Sequence, residues 1–305
     1  MEGRRSRVRG CLLGGAIGDA LGWPVEFVTS PPWAVGRVDE ITDDTQMTLF
    51  TVEALLTEPT PSGLYGAYQR WLATQSLGAP PPGAVGLAAQ QWLYALRAPG
   101  NACLSGLRSG RMGTPAAPAN PNSKGCGAVM RSAPFGLVPR WSTKDAFDLA
   151  VAGAVQTHGH PSGYLAAGAF AAMVRSLLDG ASLSDGAAVA LALLPRDDEV
   201  SAALRRALAA VPLAGPSDVE RLGGGWVAEE ALAIGFACAL THPDDMRAAL
   251  VLAVRHPGDS DSTGAICGNL LGVRGGEAAL PTEWAAAVEG RATILEVADA
   301  LADLP

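Results

Sequence analysis

The sequence predicts an all-α protein. Three observations carry that class: Ala-rich windows with apolar residues at helical spacing recur along the chain, Gly and Pro punctuate them, and few stretches alternate apolar and polar residues as a half-buried strand would. No repeat of fixed period and no linker breaks the succession. The 305 residues, 49% of them hydrophobic, are therefore expected to bury one core as a single domain over 1–305.

The first helix is marked by Gly10, Gly14, Gly18 and Gly22, which recur every four residues and so line into one bare ridge. A glycine costs roughly 1 kcal/mol at a helical site relative to alanine, so the ridge predicts close backbone packing or a ligand. Asp19 lies inside this helix. Pro24 ends it, which leaves Glu26 on a loop.

A second helix begins at Ile41-Thr42-Asp43-Asp44-Thr45-Gln46-Met47-Thr48, followed by Leu49, Val52, Leu55 and Leu56 at helical spacing. Helical patterns resume over 62–96 through Leu64, Tyr68, Trp71 and Leu72, with the break Ala79-Pro80-Pro81-Pro82-Gly83 inside them. Residues 99–121 are dense in Gly, Pro, Ser and Asn and read as a long loop. Further helices are predicted over 144–156, 163–178, 197–210, 226–240, 243–255 and 282–304, and a buried one follows the acids of His256-Pro257-Gly258-Asp259-Ser260-Asp261-Ser262-Thr263-Gly264.

Composition excludes several classes. A formal net charge of −8 leaves no general basic face for nucleic acid. The five cysteines are odd in number, scattered and without a Cys-x-x-Cys pair, which fits a reducing cytoplasm and neither a disulfide framework nor a zinc site. Arg4, Arg5, Arg7 and Arg9 precede an apolar run much as in a secretory signal. That run is interrupted by Asp19, and no stretch reaches the roughly 20 apolar residues that span a bilayer. A soluble, cytoplasmic, monomeric protein with no membrane partner is expected.

The chemistry concentrates at the two acidic helix starts. A Thr-Asp-Asp before an amphipathic helix is by itself an ordinary N-cap, because a capping carboxylate satisfies orphan amide donors. Two adjacent acids exceed what capping requires, and a second acid-hydroxyl cluster stands more than two hundred residues away. Together Asp43, Asp44, Asp259 and Asp261, with hydroxyls of Thr42, Ser262 and Thr263, make an oxygen-only set suited to Mg²⁺, Mn²⁺ or Ca²⁺ over Zn²⁺. Four formal charges suffice for two divalent ions. Between the two starts, Asn122-Ser123-Lys124-Gly125-Cys126-Gly127-Ala128-Val129-Met130-Arg131 could turn backbone amides toward a phosphate, with Lys124 and Arg131 as charge partners. It matches neither the Walker nor the Gly-x-Gly-x-x-Gly spacing, and a tight turn explains it equally. In Thr157-His158-Gly159-His160-Pro161 the two histidines lack nearby thiols, so hydrogen bonding to a substrate or capping suits them better than zinc.

In order, Gly18-Asp19-Ala20-Leu21-Gly22-Trp23-Pro24-Val25-Glu26, Thr42-Asp43-Asp44-Thr45, Gly125-Cys126-Gly127-Ala128-Val129-Met130-Arg131, Thr157-His158 and Gly258-Asp259-Ser260-Asp261-Ser262 resemble the ADP-ribosylglycohydrolase family, which includes ADP-ribosylarginine and ADP-ribosylserine hydrolases and the dinitrogenase reductase-activating glycohydrolases. The resemblance implies a compact orthogonal bundle of many helices with two Mg²⁺, or Mn²⁺, in a cleft. It implies cleavage of the bond between the anomeric ribose carbon of ADP-ribose and an arginine or serine of a modified protein. A small conjugate such as O-acetyl-ADP-ribose is the alternative substrate, and a non-catalytic binding relative the alternative role.

Carried over by position, Thr42, Asp43, Asp44, Asp259, Asp261 and Ser262 would be metal ligands, with Asp44 and Asp261 serving the chemistry. Glu26 would gate the site or act as acid/base. Ser123, Lys124, Gly125, Cys126 and Gly127 would cradle the diphosphate, and His158 would reach a ribose or phosphate oxygen. The family commonly has threonine where Ser262 stands, asparagine where Cys126 stands and an aromatic residue where Lys124 stands. Trp226 is read either as a stacking partner for adenine or as an ordinary buried tryptophan.

Overall fold

The computed structural model describes residues 2–33, 35 and 37–305. Among these residues it is all-α, with two isolated bridge pairs and no sheet. In chain order the helices are α1 Glu2–Gly22, α2 Asp43–Thr57, α3 Pro61–Thr74, α4 Asn101–Arg108, α5 Thr143–Ala154, α6 Pro161–Leu178 and α7 Leu183–Leu193. They continue as α8 Glu199–Ala210, α9 Pro216–Glu220, α10 Ala228–Thr241, α11 Met246–Val254, α12 Ser260–Gly275, α13 Thr282–Ala287 and α14 Arg291–Ala302.

The glycine ridge of α1 meets a matching ridge on α12. Gly10, Gly14 and Gly18 lie against Gly272, Gly268 and Gly264, and Gly22 lies against Ser260, so the two helices run antiparallel at backbone contact. A methyl group added at any of these four α1 positions would overlap a carbonyl oxygen of α12. Close packing is thus what the helical penalty of these glycines secures. Asn269 Nδ2 of α12 also donates to Cys11 O at 2.8 Å. This pairing brings the end of α1, with Asp19 and the following Glu26, beside the start of α12, with Asp259 and Asp261.

The rest of the core packs on that pair. α6 is buried from Ala166 to Leu178, with Arg175 satisfied by Val138 O at 2.8 Å, and α5 and α7 flank it. α14 packs across α1, where Arg9 holds Asp299 at 2.5 and 2.6 Å.

Several boundaries depart from the pattern-based expectation. The stretch expected to be a loop over 99–121 contains α4, which buries Cys103 and Leu107 between two Gly- and Pro-rich segments. The helix expected over 282–304 is two, because Gly290 takes a left-handed φ of +69° between α13 and α14. Past α3, the helical pattern toward residue 96 resolves into two short 3-10 turns, Gly86–Ala89 and Gln91–Leu93. α7 and α9 were not anticipated; α7 starts at a Ser182 cap that accepts from Asp185 N at 3.1 Å. Among the described residues no helix is long and apolar enough to cross a membrane.

Candidate metal centre and cleft

The start of α2 is capped from another helix. Asp19, fully buried in α1, accepts Thr42 N at 3.0 Å, Thr45 N at 3.1 Å and Thr45 Oγ1 at 2.5 Å. Thr42 Oγ1 accepts Asp44 N at 3.3 Å, so Thr42 and Asp19 together serve the cap; Asp43 Oδ2 accepts Gly100 N at 3.2 Å, and the Asp44 carboxylate is not needed for capping. At the start of α12 Asp259 is the cap, with Oδ1 accepting Ser262 N at 3.3 Å. Thr42 Oγ1 donates to Asp261 Oδ2 at 3.1 Å and joins the two starts.

Both starts open into one cavity of about 570 Å³. Asp43, Asp44, Asp259, Asp261, Ser262 and Glu26 line it. Opposite acids and hydroxyls, the lining includes Ser123, Gly125, Cys126, Gly127 and His158, and the segment from Ala98 to Ala102 completes it. Phe27 and Trp226 form an exposed aromatic rim, their rings stacked with centroids 5.8 Å apart and planes at 27°.

The glycines of the turn admit the histidine: a Cβ at Gly127 would stand 3.0 Å from His158 Cε1 and 2.8 Å from Cys103 Sγ. The same turn is tied to the aromatic rim, since Cys126 N donates to Trp226 O at 3.2 Å and Ala228 N to Lys124 O at 2.8 Å. The Cys126 thiol lies 2.7 Å from Asp259 Oδ2.

Six carboxylates, Asp19, Glu26, Asp43, Asp44, Asp259 and Asp261, are buried within this region. Burial is the first cause raising every one of them. Asp19 is pushed up to about 6, and Glu26 to about 9 with the further repulsion of Asp259, Asp43 and Asp19. Asp43, Asp44 and Asp261 rise well above the usual carboxylate range and Asp259 rises as well. A cluster raised in concert is short of positive charge. Glu26 Oε2 and Asp44 Oδ2 are buried without a hydrogen-bond partner, which is the signature of an acceptor awaiting a cation or donor. The donor set is hard oxygen throughout, with one thiol at its edge, and so fits Mg²⁺ or Mn²⁺. Among the described residues no three acid, thiol or imidazole side chains stand arranged to hold a metal ion, so the fit rests on donor chemistry and on the unpartnered oxygens.

Several sequence-predicted residues take other places. Thr42 does not line the cavity but bridges its ligand candidates. Thr263 turns away toward α11, where its hydroxyl meets His256 Nε2 at 3.0 Å and Ala253 O at 2.8 Å, which leaves Ser262 as the hydroxyl that the start of α12 turns into the cavity. Lys124 is absent from the lining; its ammonium bonds Glu199 and Glu229, each at 2.7 Å, and holds α8 and α10 behind the turn. Arg131 is only 1% exposed, donates to Gly127 O and Thr157 Oγ1, and lies 4.5 Å from the centroid of Tyr68, so it is no phosphate partner. His160 caps α6 through Ser162 N at 3.2 Å. Trp226 is 46% exposed, which removes the buried-tryptophan reading.

Sequence reasoning missed Phe27, the Ala98–Ala102 wall and the capping task of Asp19. A Phe directly after the candidate acid is the one signal the sequence offers for the first.

Fold and cavity together define an all-α protein built around a carboxylate cluster where two distant helix starts meet. The chain belongs to the ADP-ribosylglycohydrolase family, whose model matches residues 1–305. It is 26% identical over 296 residues to the ADP-ribosyl-(dinitrogen reductase) glycohydrolase of Rhodospirillum rubrum, covering 91% of this chain and 88% of that one. An uncharacterized protein of Archaeoglobus fulgidus is 27% identical over 318 residues, covering 98% and 96%. A solved structure titled ADP-ribosylglycohydrolase-related protein complex superposes with a TM-score of 0.75 at 27% identity, covering 100% of this chain and 99% of that one. The family is hydrolytic and acts on ADP-ribosylated substrates.

Proposed function

We propose that this protein is a metal-dependent hydrolase that cleaves the N- or O-glycosidic bond between ADP-ribose and an arginine or serine side chain of a modified protein, releasing ADP-ribose. The observation that carries the reading is the convergence of Asp43, Asp44, Asp259, Asp261 and Ser262 on one cavity with the Gly125–Gly127 turn and His158. The Rhodospirillum rubrum relative, named for an ADP-ribosylated protein, favours a protein-linked substrate.

Asp43, Asp44, Asp259, Asp261 and Ser262 would hold two Mg²⁺ or Mn²⁺, with Thr42 orienting Asp261 from behind them. Bound there, the ions supply charge neutralisation for the carboxylates and Lewis-acid polarisation of a substrate oxygen. The chain's own groups do the rest. The glycines of the turn let the diphosphate lie close to backbone, and His158 donates to one of its oxygens or to a ribose hydroxyl. Trp226 and Phe27 offer aromatic faces for the adenine at the rim. Glu26, whose Oε2 is buried without a hydrogen-bond partner, would deliver a proton to the acceptor atom that leaves the anomeric carbon. Water adds to that carbon, and its proton passes to Asp44 Oδ2.

The reading is tested by incubating the protein with arginine-modified protein, serine-modified protein and free O-acetyl-ADP-ribose, and measuring released ADP-ribose. Turnover of a modified protein above that of the free conjugate is expected. Faster turnover of the free conjugate transfers the assignment to small ADP-ribose conjugates, and no turnover of any of the three removes it.

A further inference from the structure

His158 is held from behind by two residues outside the cavity lining. Thr157 Oγ1 lies 2.8 Å from His158 Nδ1 and receives Arg131 Nη2 at 2.7 Å. Where the hydroxyl proton goes therefore decides which ring nitrogen carries a proton. Its alternative acceptor, Ala154 O, is 3.4 Å away and already takes amide protons from Thr157 at 3.0 Å and His158 at 2.8 Å. With both lone pairs of that carbonyl engaged, the hydroxyl proton points at Nδ1, and an accepting Nδ1 leaves the ring proton on Nε2.

Nε2 faces the Gly-rich turn. It lies 3.4 Å and 3.3 Å from where a Cβ would stand at Gly125 and Gly127, and among the described residues it has no hydrogen-bond partner. Arg131 has little freedom to rearrange: Gly127 O accepts from its Nη1 at 2.6 Å, and its guanidinium is pinned over Tyr68. We propose that Arg131 and Thr157 are positioning residues that fix His158 as the Nε2–H tautomer, so that the ring meets the substrate as a neutral hydrogen-bond donor and not as a general base. Burial, and secondarily the charge of Arg131, push His158 down to about 3, which keeps the ring neutral at physiological pH. The identity of the oxygen that receives this bond, on the diphosphate or ribose, rests on the proposed function; the tautomer does not.

The test uses the full chain with ¹⁵N-labelled histidine rings, with His158→Gln to assign the resonance. The expected spectrum shows His158 Nε2 protonated and Nδ1 unprotonated. Thr157→Val removes the hydroxyl at nearly constant shape; it should mix the tautomers and weaken ADP-ribose binding about tenfold by calorimetry. KM should rise with it while kcat stays within about twofold, because the lost interaction is equal in ground and transition states. Thr157→Ser should restore both spectrum and affinity. A wild-type ring with its proton on Nδ1 would overturn the proposal. So would a Thr157→Val protein unchanged in tautomer and affinity, or a Thr157→Ser protein as impaired as Thr157→Val. Failure of the wild type to bind ADP-ribose overturns the proposed function instead, while the ring resonances still decide the tautomer.

Discussion

Thr42 Oγ1 donates to Asp261 Oδ2 at 3.1 Å across 219 residues of sequence. Neither helix start places that bond alone: it depends on α1 and α12 lying at backbone contact, which sets Asp19 under the start of α2 and Asp261 beside it. The acid cluster is therefore coupled to the glycine ridge.

That coupling predicts the effect of Gly18→Ala. The added methyl meets the Gly264 carbonyl, backbone that has no rotamer to yield, so a loss of about 3 kcal/mol is expected along with impaired metal binding. Gly66→Ala in α3 is the control: its Cβ would find nothing nearer than Arg70 Nη1 at 3.6 Å, and a gain of roughly 0.5–1 kcal/mol from helix propensity is expected. Denaturant unfolding of the two variants, with Mg²⁺ titration of each, separates them.

Removing one carboxylate should stabilise the metal-free protein. Asp44 is buried and repelled by Asp19, Asp43 and Asp259, and each pH unit of its upward shift corresponds to about 1.4 kcal/mol against the ionised form. Asp44→Asn is expected to melt higher than wild type in EDTA, to gain less from Mg²⁺, and to lose turnover at least about a hundredfold. Melting curves with and without Mg²⁺ check it; an Asn variant less stable in EDTA would mean that Asp44 is a structural cap.

Much of this was legible in the sequence because charge density and glycine period are local. Two adjacent acids at the start of α2 exceed the needs of a cap, and the structure shows why: Thr42 and Asp19 already serve that cap. The ridge Gly10-Gly14-Gly18-Gly22 was visible, but its partner Gly264-Gly268-Gly272 is recognisable as one only when the pairing of α1 with α12 is known. Lys124 and Arg131 misled for the same reason. A cation beside a Gly-rich turn looks like a phosphate partner until Glu199, Glu229 and Tyr68 arrive from remote helices and Thr157 from the turn between α5 and α6.

The buried neutral histidine sets a pH dependence. His158 falls from 6.5 to about 3 in the folded chain, by burial first and the Arg131 charge second. The unfolded chain thus binds more protons between these values, so this contribution to stability is intact above pH 6.5 and is lost as pH falls toward 3. The stability of wild type minus that of His158→Gln should decline over this window by up to about 1.4 kcal/mol per pH unit. A difference constant with pH would refute the buried neutral ring.

The aromatic rim predicts a binding phenotype. Trp226 is stacked on Phe27 yet nearly half exposed, so its loss removes little from the core. Trp226→Ala should weaken ADP-ribose binding about tenfold with Trp226→Phe close to wild type, as for a ring that stacks on a base. Calorimetry on the two variants, with melting temperatures as the control for folding, checks this.

The account centres on two helix starts forming one metal site that releases ADP-ribose. Its most direct test is to strip the protein with EDTA, add arginine- or serine-ADP-ribosylated protein, and follow free ADP-ribose as Mg²⁺ or Mn²⁺ is returned, for wild type, Asp43→Asn and Asp261→Asn. The account predicts release that stops with EDTA, resumes with metal in the wild type, and stays absent in both variants although one alters each helix start. Release that persists in EDTA, or at full rate in either variant, would contradict it.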